Sequence, residues 1–138
     1  MVSVRLAILV AALALALPGA ASAGPITLSP KPVDFGTVAV DPTGYLPYLA
    51  RVQVTNTGSR PLTILGISWV FHGPGTFSDD PSCGSAAIEV LQPGESCDDV
   101  LVWDPDAPGY ITQSKWCIST LGHRTVCVRI AGRAALLP

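Results

Sequence analysis

The feature that most limits what this chain can become is its punctuation. From Gly24 onward Gly, Pro, Asn and Asp recur at short intervals, and the segments between them are rich in Val, Ile, Thr and Trp. β-Branched and aromatic side chains suit a pleated, half-buried strand, whereas turn formers this frequent end a helix before it gains length. No stretch after residue 23 shows helical periodicity. The pattern predicts an all-β sandwich, with strands near 26–29, 36–40, 48–56, 62–71, 87–90, 96–103, 113–120 and 125–131.

Alternation within these segments assigns faces. Val52 and Val54 share one side while Arg51, Gln53 and Thr55 share the other, so that strand is half buried. Ile67, Trp69 and Phe71 fall on one face, and Val126, Val128 and Ile130 oppose Thr125, Cys127 and Arg129. Val100 and Val102 oppose Leu101 and Trp103, so both faces of that strand are apolar: it lies deep, or a neighbouring loop covers Trp103. The joints are turns. In "NTGSRP" (56–61) Gly58 is free to take positive φ, Pro93-Gly94 suits a type II turn, and Pro105 and Pro108 end a strand because they cannot donate to a ladder. No linker, repeat or low-complexity segment interrupts this spacing, so residues 24–138 are expected to form a single domain.

Residues 1–23 are a different kind of segment. Arg5 precedes an apolar run from Leu6 to Leu17, then Pro18-Gly19 and the small-x-small Ala21-Ser22-Ala23, the pattern of a cleaved signal peptide with the cut before Gly24. The run falls short of the about 20 residues a membrane span needs. Removing Arg5 leaves seven Lys/Arg against ten Asp/Glu over the remaining 115 residues, a formal charge of −3. Weak acidity without a basic cluster excludes nucleic acid as a partner and offers nothing to anionic lipid, and no membrane insertion is expected after cleavage.

All four cysteines, Cys83, Cys97, Cys117 and Cys127, lie in the exported part, and an even count there implies two disulfides. Three connectivities are open, and spacing favours one. Cys117 and Cys127 flank Gly122 symmetrically, so a hairpin turning there sets them opposite each other on adjacent strands, on the polar face. The remaining pair is Cys83 with Cys97. A zinc site would need close Cys-x-x-Cys pairs, which are absent, so no metal or other cofactor is expected.

The stretch "LQPGESCDDVLVWDPDAPG" (91–109) concentrates five acids. Asp104 and Asp106 offer oxygens to at most a weak calcium site, lacking the longer ligand register of an EF-hand loop, and the plainer role is to end a strand. Asp98 and Asp99 alternate across a strand and face opposite sides, which disfavours a paired-carboxylate mechanism. The only histidines, His72 and His123, fall in loops, and no nucleophile-elbow, zinc-protease or phosphate-cradling motif occurs. No catalytic residue is assigned. Tyr45 and Tyr48, beside Pro47 in a long connection, are candidates for a partner surface.

Several stretches taken together resemble a known family. "VDFGTVAV" (33–40), "VQVTNTGSRPLTILGI" (52–67), "FSDDPSCGSAAIEVLQPGESCDDVLVWDPDAPG" (77–109) and "VRIAGRA" (128–134) are similar, in this order, to the immunoglobulin-like ASH/Hydin domain of bacterial exported proteins labelled choice-of-anchor D, within the wider major-sperm-protein and PapD-like superfamily. The resemblance implies an immunoglobulin-like sandwich of seven to eight antiparallel strands in which Phe35 anchors the first strand, Asn56-Thr57-Gly58 makes a turn, and Cys83 pairs with Cys97. Trp103 stands where the family usually has phenylalanine, and Cys117 and Cys127 have no family equivalent.

The function expected from these readings is an exported, non-catalytic module of the bacterial periplasm or cell surface that binds another protein or serves as a structural element. The alternatives are a periplasmic chaperone or assembly factor that holds a client by β-augmentation, and a carbohydrate-binding module using Tyr45 and Tyr48.

Overall fold

A computed structural model of the chain describes residues 24–43, 46–84 and 90–138. Ten strands follow in order: β1 (Ile26–Ser29), β2 (Val33–Ala39), β3 (Tyr48–Asn56), β4 (Leu62–Val70), β5 (Thr76–Pro81), β6 (Val90–Leu91), β7 (Ser96–Asp104), β8 (Gly109–Tyr110), β9 (Ser114–Thr120) and β10 (Val126–Ala135). They form two layers. One sheet runs β1-β3-β7-β5; the other runs β2-β10-β9-β4-β6, with β8 also paired to β10. Among the described residues there is no helix, and the architecture is an immunoglobulin-like β-sandwich.

The core follows the period of two. Val52 and Val54 of β3, Leu101 and Trp103 of β7, Trp116 and Ile118 of β9, and Val128 and Ile130 of β10 all point between the sheets and are buried. Trp103 is central. Its indole Nε1 donates to the Pro74 carbonyl at 2.8 Å, and the ring of Phe35 meets it edge-on at 5.6 Å. The loop at Pro74 thus supplies both cover and acceptor, as a buried tryptophan requires. Gly132 makes the close approach possible, since a Cβ there would sit 2.8 Å from the Trp103 ring.

The two disulfides occupy different environments. Cys83–Cys97 lies inside, with both residues buried, whereas Cys117–Cys127 joins register partners of β9 and β10 on the outer face, leaving Cys127 exposed.

Several sequence expectations are corrected. No strand is among those expected between 71 and 87, where Ser78-Asp79-Asp80-Pro81 has turn composition, yet β5 pairs with β7 along its whole length. β2 begins at Val33 and runs parallel to β10, so the sandwich is not wholly antiparallel. This follows from the short crossing at Pro30–Pro32: β1 pairs with β3 in one sheet and the next residues join the other sheet. Ten strands replace the expected seven to eight, the surplus being β5 and the two-residue β8. Gly58 does not take positive φ; its lack of a side chain serves close approach to Pro25, whose Cβ would lie 3.0 Å from an added Cβ. The Pro93-Gly94 turn forms as expected, with Gly94 at φ 83° and the Glu95 N–H bonded to the Gln92 carbonyl at 3.0 Å. Residues 1–23, Tyr45 and most of the strand expected at 87–90 lie outside the described residues.

Candidate interaction surface

The acidic stretch is taken apart by the strand that carries it. In β7 the inward positions are Cys97, Asp99, Leu101 and Trp103, so Asp99 is fully buried while Asp98 turns outward. Asp99 Oδ1 accepts the Cys83 N–H at 3.1 Å. Its Oδ2, and the nearby Nε1 of buried Trp116, make no hydrogen bond of full geometry. Burial pushes the Asp99 carboxyl up to about 6, and the charge of Asp79 adds to the rise. The amides of Cys83 and Ser82 and the Trp116 indole act in the opposite direction. Asp104 closes β7 with Oδ1 buried, and Asp106 is exposed beyond it. Among the described residues no three metal-ligating side chains converge.

The histidines lie at opposite ends of β4. The His72 backbone is fixed by Ser114, whose Oγ accepts its N–H at 2.7 Å, while its side chain is exposed. His123 lies in the β9–β10 turn beside Leu121, whose N–H bonds to the Thr63 carbonyl. Neither meets a hydroxyl and an acid in a catalytic arrangement. Tyr48 turns toward the core, and its hydroxyl accepts the Ala39 N–H at 3.1 Å. It ties β3 to β2 across the layers, while Leu46 just before β3 and Leu49 within it are exposed.

β6 covers β4 only at Leu62 and Thr63, so from Ile64 to Val70 the outer edge of β4 has no ladder partner among the described residues. Beneath that edge three aromatic rings close the gap to β5: Trp69 meets Phe77 edge-on at 5.0 Å, and Phe71 stacks on Phe77 at 4.8 Å. Trp69 is 41% exposed, and its Nε1 donates to Asp79 Oδ1 at 3.2 Å. Sequence reasoning placed Ile67, Trp69 and Phe71 on one face but missed their partner Phe77, because β5 was not recognised as a strand.

Two layers, a first strand divided between the sheets and a buried tryptophan at the centre define the class: an immunoglobulin-like β-sandwich. The ASH/PapD-like domain 7 of human CEP192 matches with a TM-score of 0.58 at 12% identity, covering 99% of each chain. Two proteases of Vibrio cholerae also match: secreted serine protease VesC (TM-score 0.58, 18% identity, 79% of this chain) and VesB (TM-score 0.54, 18% identity, 80% of this chain). The chain spans only 23% and 32% of those proteases' own lengths. At such identities the likeness is one of fold. No family model and no curated protein matches the chain.

Proposed function

We propose that this chain is an exported, non-catalytic immunoglobulin-like module of the bacterial periplasm or cell surface that acts by binding another protein. The observation that carries this reading is the end-to-end fold likeness to an ASH/PapD-like domain. Two disulfides suit an oxidising compartment, and residues 1–23 have the pattern of a cleaved leader. A sandwich of this fold also forms part of a secreted bacterial protease. The choice-of-anchor D affiliation rests on the motifs at 33–40, 52–67, 77–109 and 128–134.

The test is production of the whole chain in a bacterial host, N-terminal sequencing of the periplasmic form, and chemical cross-linking followed by mass spectrometry. The expected result is a mature start at Gly24 and one reproducible, stoichiometric protein partner. Retention in the cytosol, or saturable turnover of a substrate abolished by one side-chain change, overturns it.

A further inference from the structure

The two bridges of this molecule sit in opposite electrostatic surroundings. Cys83–Cys97 is buried, with Asp98 and Asp99 directly after Cys97 and the Asp99 carboxyl on the Cys83 N–H. Cys117–Cys127 lies on the outer face of the β9-β10 hairpin, within a row of cross-strand pairs. Lys115 stands opposite Arg129, then Cys117 opposite Cys127, and beyond them the hydroxyls of Ser119 and Thr125 meet at 2.9 Å. From Ser114 to Ala135 the chain has Lys115, Arg124, Arg129 and Arg133 and no Asp or Glu. Arg133 lies over the Tyr110 ring at 5.6 Å. The acid that β2 brings to this face is Asp34, opposite Ala131, with its Oδ1 accepting the Gly36 N–H.

Like charges set directly opposite each other weaken a strand pair, so Lys115 against Arg129 costs the hairpin stability that a neutral side chain would not. Both are exposed, and each lies two residues along its strand from a bridge sulfur. Two residues of strand are about 7 Å, inside the screening length of about 8 Å at physiological salt. The two sulfurs differ in access. At Cys117, β9 is flanked by β4 and β10, and the residue is 5% exposed. At Cys127, β10 is flanked by β9 alone among the described residues, because β2 joins it only from Ile130, and the residue is exposed. An exposed bridge is the kind that exchanges with thiols, at a rate set by which sulfur can be reached and how readily the other leaves as a thiolate.

We propose that Cys127 is a thiol–disulfide exchange site for a small thiol that bears carboxylate groups. The thiolate sulfur attacks Cys127 Sγ and a new S–S bond forms there; the Cys117–Cys127 bond breaks, and its electron pair leaves on Cys117 as a thiolate. The small thiol is oxidised to the mixed disulfide and Cys117 is reduced, with no further oxidant or reductant. Return attack by the Cys117 thiolate on Cys127 Sγ recloses the bridge and expels the thiol. Lys115 and Arg129 draw in the carboxylates and offset the negative charge that passes from the attacking to the departing sulfur. The core is left in place, since this bridge lies on the outer face and β9 and β10 stay joined by their ladder. This site is independent of the partner-binding reading and stands or falls without it.

The test treats the mature, disulfide-bonded protein in native buffer with reduced glutathione, with uncharged 2-mercaptoethanol and with cationic cysteamine, followed by acid quenching, intact mass and peptide mapping. Each rate is divided by the same thiol's rate on a small uncharged disulfide, which cancels differences in thiolate fraction and nucleophilicity. The expected product is a mixed disulfide on Cys127 with Cys83–Cys97 intact. Glutathione should lead 2-mercaptoethanol about threefold and cysteamine about tenfold, a preference that fades in molar salt. Lys115→Gln with Arg129→Gln should abolish the preference without lowering the melting temperature of the oxidised protein, whereas Lys115→Arg should keep it. A mixed disulfide on Cys117, equal normalised rates for the three thiols, or a preference that survives the double substitution overturns the proposal. So does opening of both bridges together, which marks exchange through global unfolding, and so does failure of Cys117–Cys127 to open at all.

Discussion

Raising the pH from 4 to 7 should destabilise this protein, against the common behaviour of carboxylates that gain partners on folding. The cause is Asp99, fully buried in β7 with one oxygen on the Cys83 N–H and its carboxyl pushed up to about 6 from 3.8. Between those values the folded state holds a proton that the unfolded chain has released, so stability falls as pH rises. The contribution is fully present below about pH 4 and is lost by the time pH has passed through the folded value. A rise of this size corresponds to about 3 kcal/mol, with nearby dipoles and relaxation reducing it toward 2. At roughly 3–4 °C per kcal/mol for a domain of this size, the melting temperature should drop by about 6–10 °C between pH 4 and 7. The assay is urea and thermal unfolding of the oxidised protein across that range, for the native chain and for Asp99→Asn, which is neutral throughout. The variant should lose most of the slope. A flat profile in the native chain, or the same slope in both, refutes the assignment of the charge to this site.

The remaining predictions concern stability. Gly75→Ala should cost at least about 3 kcal/mol, because Gly75 has φ 81° and its added methyl would overlap the Asp104 carbonyl; Gly94→Ala, at φ 83° but in open space, should cost only about 1–2 kcal/mol. Paired denaturant titrations check the contrast. Asn56→Ala should cost about 3 kcal/mol, since the buried side chain donates to the Arg60 and Leu91 carbonyls at 2.8 and 2.9 Å and accepts the Gly58 N–H at 2.9 Å. Replacing Cys83 and Cys97 with alanine should lower the melting temperature more than replacing Cys117 and Cys127. Each bridge constrains the unfolded chain by about 3 kcal/mol, but only the first also fills the core.

What the sequence disclosed depended on whether information was local. β3, β7, β9 and β10 were legible because alternation and turn residues coincide there, and the symmetry of Cys117 and Cys127 about Gly122 matches their register in the hairpin. β5 was hidden because Ser-Asp-Asp-Pro has no strand propensity of its own; pairing with β7 imposes the conformation. The parallel partnership of β2 with β10 leaves no trace in either segment. Alternation separated Asp98 from Asp99 correctly. It did not say which faced inward, since Val100 and Val102 make the outer face as apolar as the inner.

The division of the first strand has a consequence for how the molecule is made. Among the described residues β2 finds its ladder on β10 alone, about a hundred positions later in the sequence, so the earlier segment must wait for the later one. The sheet that holds β2 is not complete without the last strand, and loss of β10 would leave β2 and β8 without their ladder while β9 kept its pairing with β4. Such long-range closure slows folding and delays it until β10 has been synthesised.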